Sequence, residues 1–233
     1  LARRSKIKIY KWLLLALTLV ILIAAAQKIY NRYIYKHSDA NLNVVDRTWL
    51  NYHEEVEKVS EELEIPASYL LALIALECSG YKEIPSRFEP HIYEKLDKVR
   101  EGKIENFEGV KPEDLLRSDD AALKNLASSW GPFQLMGYQC FHLDVKIKQL
   151  RGKNSVQYGA TWIKMMYGKY LEKKRFKDAF HLHNTGQKYP KIGPPKTHSR
   201  YYVPRGLKFM KEFDKKFKEE DKMKDSTEQT NKP

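Results

Sequence analysis

Two cysteines, eleven glycines and ten prolines in 233 residues are too few for a disulfide-stapled scaffold, a collagen-like repeat or a low-complexity chain. Internal repeats are missing, strand-like alternation is scarce, and none of the seven histidines stands at a metal-ligand spacing. His181 and His183 are two apart, which on a helix points them in different directions, so neither a metal nor a cofactor is expected. Acidic residues are absent from the first thirty positions, where Arg3, Arg4, Lys6, Lys8, Lys11 and Lys28 stand. Half of the formal charge of +12 therefore belongs to a short N-terminal piece, and the total is no footprint of nucleic acid. The run Lys173-Lys174-Arg175 reads as a solvated helix face, so no nucleic-acid partner is expected. A hydrophobic content of 42% excludes a disordered chain and leaves room for one globular domain with flanking material.

The flanking material begins with a basic leader, residues 1–11, and an apolar segment, residues 12–30. Trp12 to Gln27 carries no charge over 16 residues, a length between a signal-peptide core and a full membrane span of about 20 residues. Tyr10, Trp12 and Tyr30 suit the membrane interfaces, and Lys11 and Lys28 can snorkel. A retained single-pass anchor is the preferred reading. Ala24-Ala25-Ala26 keeps open a cleaved signal peptide and a secreted product. The basic leader places the N-terminus in the cytoplasm and the rest of the chain outside it, in a bacterial periplasm or cell-wall space.

Residues 31–45 read as a polar linker, residues 46–210 as a mainly α domain, and residues 211–233 as a charged tail whose end, from Asp225, is disordered. Helical patterning covers Asn51 to Leu63, Glu113 to Ala127, Ser155 to Glu172 and Phe176 to His183, and Pro204 is expected to break or kink the helix after it. Pro66 opens a helix, Ala67 to Glu77, that is apolar on nearly every face, and Gly80 stops it. Such a helix must be central, which makes the ionisable Glu77 at its end conspicuous. Burial and the negative end of the helix dipole both disfavour a carboxylate there, so its pKa should rise. A carboxylic acid kept protonated near neutrality is what cleavage of a glycosidic bond requires, because the leaving oxygen must take a proton.

Four blocks stand in order along the chain: Glu77-Cys78-Ser79-Gly80, Phe88-Glu89-Pro90-His91, Ser128-Ser129-Trp130-Gly131 through Gln134 to Gly137, and Ala179 through Asn184 to Gly186. Together they resemble the lysozyme-like superfamily of lytic transglycosylases and goose-type lysozymes, and more closely its bacterial and phage N-acetylmuramidase domains. The resemblance runs from about Val56 to Met210. It implies a lysozyme-like fold, helices around a sugar-binding groove, and cleavage of the β-1,4 bond between N-acetylmuramic acid and N-acetylglucosamine in peptidoglycan. Glu77 would be the general acid, with Gln134 and Asn184 hydrogen-bonding the substrate. Ser79, Tyr138 and His91 are further substrate-binding candidates, and Tyr81, Tyr93 and Tyr189 lie near the motifs.

The match departs from the family where Pro132-Phe133 replaces Leu-Met, where Cys78 takes the place of Ser, and where the Tyr of the last motif falls near Phe180 or Leu182. Glu89 stays open as a second carboxylate. A separation of about 5–5.5 Å from Glu77 suits retention and about 6.5–9.5 Å suits inversion. As a partner of Arg87 or His91 it would leave one catalytic carboxyl, the lytic case, with Glu77 acid then base and a 1,6-anhydro product. Cys78 and Cys140 could pair as a disulfide in an oxidising envelope. The alternative from another class is a non-catalytic peptidoglycan-binding scaffold subunit of an envelope-spanning secretion or conjugation machine. Chitin or chitosan cleavage shares the implied architecture.

Overall fold

The computed structural model describes residues 17–28 and 41–230, without the side chains of residues 225 and 227–230. The basic leader, residues 12–16 and 29–30 of the apolar segment, and residues 31–40 of the linker lie outside them. The chain divides into two units, Leu1–Asn43 and Val44–Pro233. In the first, residues 17–28 form helix α1 with every residue exposed. Among the described residues no helix is long and apolar enough to cross a membrane.

The second unit is mainly helical. Helix α2, Val44–Leu63, buries Val45, Thr48, Tyr52, Val56 and Val59, a spacing of three and four residues that puts them on one face. Helix α3, Ala67–Cys78, follows Pro66 and is apolar all round: Leu70, Leu71, Leu73 and Ile74 are each fully buried. It packs chiefly against α2 and against α10, Tyr202–Thr230. Burial of one such side chain stabilises by about 1.5–3 kcal/mol, so α3 is the main source of hydrophobic stability in this layer. Helices α8, Ser155–Glu172, and α9, Phe176–Thr185, complete it with Val156, Ile163, Ala179 and Phe180. Gly206 lets α10 approach closely, since a Cβ there would lie 2.9 Å from Phe180 and 3.0 Å from Leu76.

A second apolar cluster holds α4, Pro90–Arg100, α5, Pro112–Leu115, α6, Asp120–Leu126, and α7, Gln139–His142, around Leu96, Val99, Leu115, Leu123 and Leu150. A small antiparallel sheet joins the two clusters in the order β1, Arg87–Phe88, β2, Ser128–Trp130, and β3, Leu135–Met136. Arg87 pairs with Ser129, and Trp130 with Leu135. Strand alternation sends Leu135 into the first cluster and Met136 against the second.

Several sequence expectations need correction. The stretch Glu113 to Ala127 is two helices, because Asp119 accepts the Ala122 N–H (2.7 Å) and caps a new start. Helix α2 begins at Val44, inside the supposed linker. Pro204 does not break α10, which runs as one helix from Tyr202 to Thr230. It sits in the first turn, where its missing N–H has no partner to lose. The domain does not end at residue 210, since Phe213 is fully buried in the first cluster and Lys216 reaches Asp46 at 2.8 Å. From Asp225 the chain continues as helix to Thr230. The three short strands were not expected at all.

Candidate active site

Glu77 lies in the last turn of α3, with only 17% of its side chain exposed. The Tyr202 phenol, at the start of α10, donates to its Oε1. Burial pushes the Glu77 carboxyl up to about 7, an effect the Tyr202 hydrogen bond partly offsets because it favours the charged form. The nearest basic group, His183 Nε2, stands 3.8 Å from Oε1. That ring is neutral. Its Nε2 donates to the Phe133 carbonyl at 3.0 Å, and a carbonyl only accepts, so the proton is on Nε2. Its Nδ1 is buried without a partner among the described residues, and burial lowers the imidazole to about 4. Trp162 and Tyr167 meet it edge-on at ring separations of 6.3 and 6.0 Å. Glu77 therefore has aromatic neighbours, one phenolic donor and an uncharged histidine, but among the described residues no cation to hold it ionised.

The turn after Glu77 is gripped by α2. Arg47 Nη1 donates to the Ser79 carbonyl (3.0 Å), Asn51 Nδ2 to that of Gly80 (2.8 Å) and the Tyr52 hydroxyl to that of Tyr81 (2.7 Å). Arg47 also covers the Tyr81 ring at 4.0 Å. Ser79 caps α3 in the left-handed region, φ 54°. Gly80 follows with φ 75°, and a Cβ on it would meet the Thr48 backbone nitrogen at 2.6 Å. Glycine is required there by both conformation and space.

Gln134 is at the β2–β3 turn, next to the Phe133 carbonyl that holds His183. Ser129 Oγ donates to its Oε1 (2.8 Å) and its Nε2 donates to the Gly131 carbonyl (3.0 Å). Asn184 forms a two-point latch with His198: Nδ2 donates to the ring Nδ1 (2.7 Å) and Oδ1 accepts the His198 backbone N–H (3.1 Å). Each amide keeps one N–H and one oxygen lone pair beyond these bonds. Glu89 is in different surroundings, its Oε1 3.0 Å from Arg87 Nε and its Oε2 3.8 Å from the exposed His91.

Other expected residues sit elsewhere. Tyr138 is buried in the second cluster, edge-on to Phe107 at 5.7 Å, and burial raises its hydroxyl to about 12, so it is a packing residue and not a sugar platform. Tyr93 packs against Phe88 and Tyr189 against His181, while Tyr81 is half exposed under Arg47. Cys78 and Cys140 are not bonded. The Cys78 thiol donates to the Ile74 carbonyl (3.3 Å), Cys140 belongs to the other cluster, and burial raises both, to about 12 and about 11. Among the described residues no group of His, Cys, Asp and Glu is disposed to hold a metal ion.

Tyr202 and the α2 trio escaped sequence reasoning. Tyr202 is 125 residues from Glu77, and its only local signal is a tyrosine opening a helix after a proline-rich loop. No known family, curated protein or solved structure matches the chain.

Proposed function

We propose that this domain cleaves the β-1,4 bond between N-acetylmuramic acid and N-acetylglucosamine in peptidoglycan, with Glu77 as general acid. One observation carries the reading: a glutamate at the end of a buried helix, raised to about 7 by burial and hydrogen-bonded by a phenol, without a cationic partner among the described residues. Such a group is half protonated at neutrality and can give a proton to a leaving glycosidic oxygen. Glu89 engages Arg87, which favours a single catalytic carboxyl. In that scheme the Glu77 carboxylate, having given its proton, takes the proton of the muramyl 6-hydroxyl as that oxygen attacks the anomeric carbon. The product then has a 1,6-anhydro end. Gln134 and Asn184 supply their remaining amide groups to the N-acetyl sugar. The uncharged stretch Trp12 to Gln27 behind a basic leader supports export and membrane attachment on the wall side.

A second reading, a non-catalytic peptidoglycan-binding scaffold, draws on the fact that both amides already serve internal hydrogen bonds. A peptidoglycan zymogram separates the two. Clearing by the parent and none by Glu77→Gln supports the enzyme, whereas clearing by both overturns the role of Glu77, and clearing by neither selects the scaffold. Mass spectrometry of the released muropeptides then reads anhydro against reducing ends.

A further inference from the structure

An open cleft of about 440 Å³ is lined by Arg87, Asn184, Thr185, Gln187, Lys196 and His198. It is linked to Glu77 through Tyr202. Asn184 follows His183, and His198 packs edge-on against Tyr202, the phenol that holds Glu77, at 5.3 Å. None of the lining residues is acidic, and two are cations. The Arg87 guanidinium offers five N–H donors and gives its Nε side to Glu89, so its Nη side remains for a ligand. Lys196 has no carboxylate partner among the described residues.

The cleft is held in shape by the buried His181. Its Nδ1 donates to the Gln187 carbonyl (2.7 Å) and its Nε2 accepts the Lys196 backbone N–H (3.1 Å), so one neutral ring fixes both ends of the loop between them. Thr185 Oγ1 accepts the Gln187 N–H at 3.1 Å, and Asn184 latches the segment at His198. These bonds fix Lys196, on a proline-flanked loop, and Asn184 in a lining that Arg87, from the edge strand, also joins. An arginine fork and an ammonium lining a common space, with an amide donor in the same lining, match a carboxylate.

We infer that this cleft is a subsite for a carboxylate carried by the muramyl residue beside the cut bond, gripped by Arg87 and Lys196 and oriented by Asn184. The inference rests on the proposed substrate and specifies which part of it the protein reads. The carboxylate can come from the stem peptide or, on a peptide-free strand, from the lactyl group.

The test uses the full chain carrying Glu77→Gln, so that ligands are not consumed, and measures Kd for three soluble disaccharides. One carries a stem peptide with free carboxylates, one the same peptide fully amidated, and one no peptide and a free lactyl group. Free peptide carboxylates should tighten binding roughly five- to tenfold over the amidated ligand, a preference that 0.5 M salt erodes. Lys196→Glu should abolish the preference and leave the affinity of the amidated ligand unchanged, and Arg87→Gln should reduce the preference. A gain shared by the peptide-free disaccharide assigns the lactyl source, and a gain confined to the peptide ligand assigns the stem peptide. Equal Kd values for all three ligands, or a preference untouched by Lys196→Glu, overturn the subsite. A parent that fails to clear peptidoglycan yet keeps the preference loses the cleavage reading alone. Cleavage without the preference loses the subsite alone.

Discussion

The C-terminal end of α3 and the edge strand β1 each lead to a glutamate, and the two side chains meet opposite surroundings. Glu77 is enclosed by Tyr202, a neutral His183 and the aromatic rings behind it, and its carboxyl is raised to about 7. Glu89 pairs with Arg87 at 3.0 Å, and that arginine is 78% exposed to solvent. Two carboxyl groups of the same chemistry thus become a group that keeps its proton up to near neutrality at one place and an ion-pair member at the other. Their side chains are similarly enclosed, 17% and 23% exposed, and the cation beside Glu89 separates them.

The largest consequence is on activity. Glu77→Gln should lower peptidoglycan cleavage by about 10³-fold, within the range for loss of a general acid, while Glu89→Gln should stay within about threefold of the parent. Equal losses in the two variants would erase the distinction between the sites. Circular dichroism checks that both variants fold.

Stability against pH separates the two glutamates next. The Glu77 pKa is raised from 4.5 to about 7, so the folded state holds its proton more tightly than the unfolded state does. Its contribution is fully present below pH 4.5 and is lost as pH rises through about 7. The loss amounts to roughly 3 kcal/mol. Urea unfolding at pH 5 and pH 8 should show this decline in the parent, and Glu77→Gln should remove it. The Arg87 end of the pair is 78% exposed, so solvent screens the interaction although the Glu89 side chain is only 23% exposed, and Glu89→Gln should change stability by about 1 kcal/mol or less at either pH.

Tyr202→Phe gives the next smaller effect. It deletes a hydrogen bond that favours the carboxylate, so the Glu77 pKa should move further up and the alkaline limb of the pH–activity profile should shift to higher pH. The rate at neutrality should fall by roughly tenfold through lost positioning, in line with the worth of one hydrogen bond to a charged group. A profile that stays in place would show that the phenol does not report on the catalytic group.

Legibility in the sequence tracks the range of the interactions. The all-apolar face of α3 pointed to a central helix, and a carboxyl at its end pointed to a raised pKa, because both depend on neighbouring residues. Helix α8 was readable for the same reason, through Val156, Trp162 and Tyr170, although Met165 and Met166 of the same apolar pattern are exposed. The donors from Arg47, Asn51 and Tyr52 to three successive carbonyls after Glu77 were hidden, because α2 reads as an ordinary amphipathic helix and its polar residues reveal no target. Tyr202 was hidden by sequence separation. The strands escaped because two or three residues are too short to show alternation. Tyr138 misled because a tyrosine beside a motif looks the same in sequence whether it faces solvent or Phe107.

The decisive quantity is the ionisation of Glu77 itself. Carbon-13 NMR of the glutamate side-chain carboxyl carbons, assigned by comparison with Glu77→Gln, follows each group through a titration from pH 3 to pH 9. The Glu77 signal should titrate with a midpoint near 7. A Glu77 midpoint at the ordinary 4.5 would mean that burial does not hold the proton, and the general-acid assignment would fall with it.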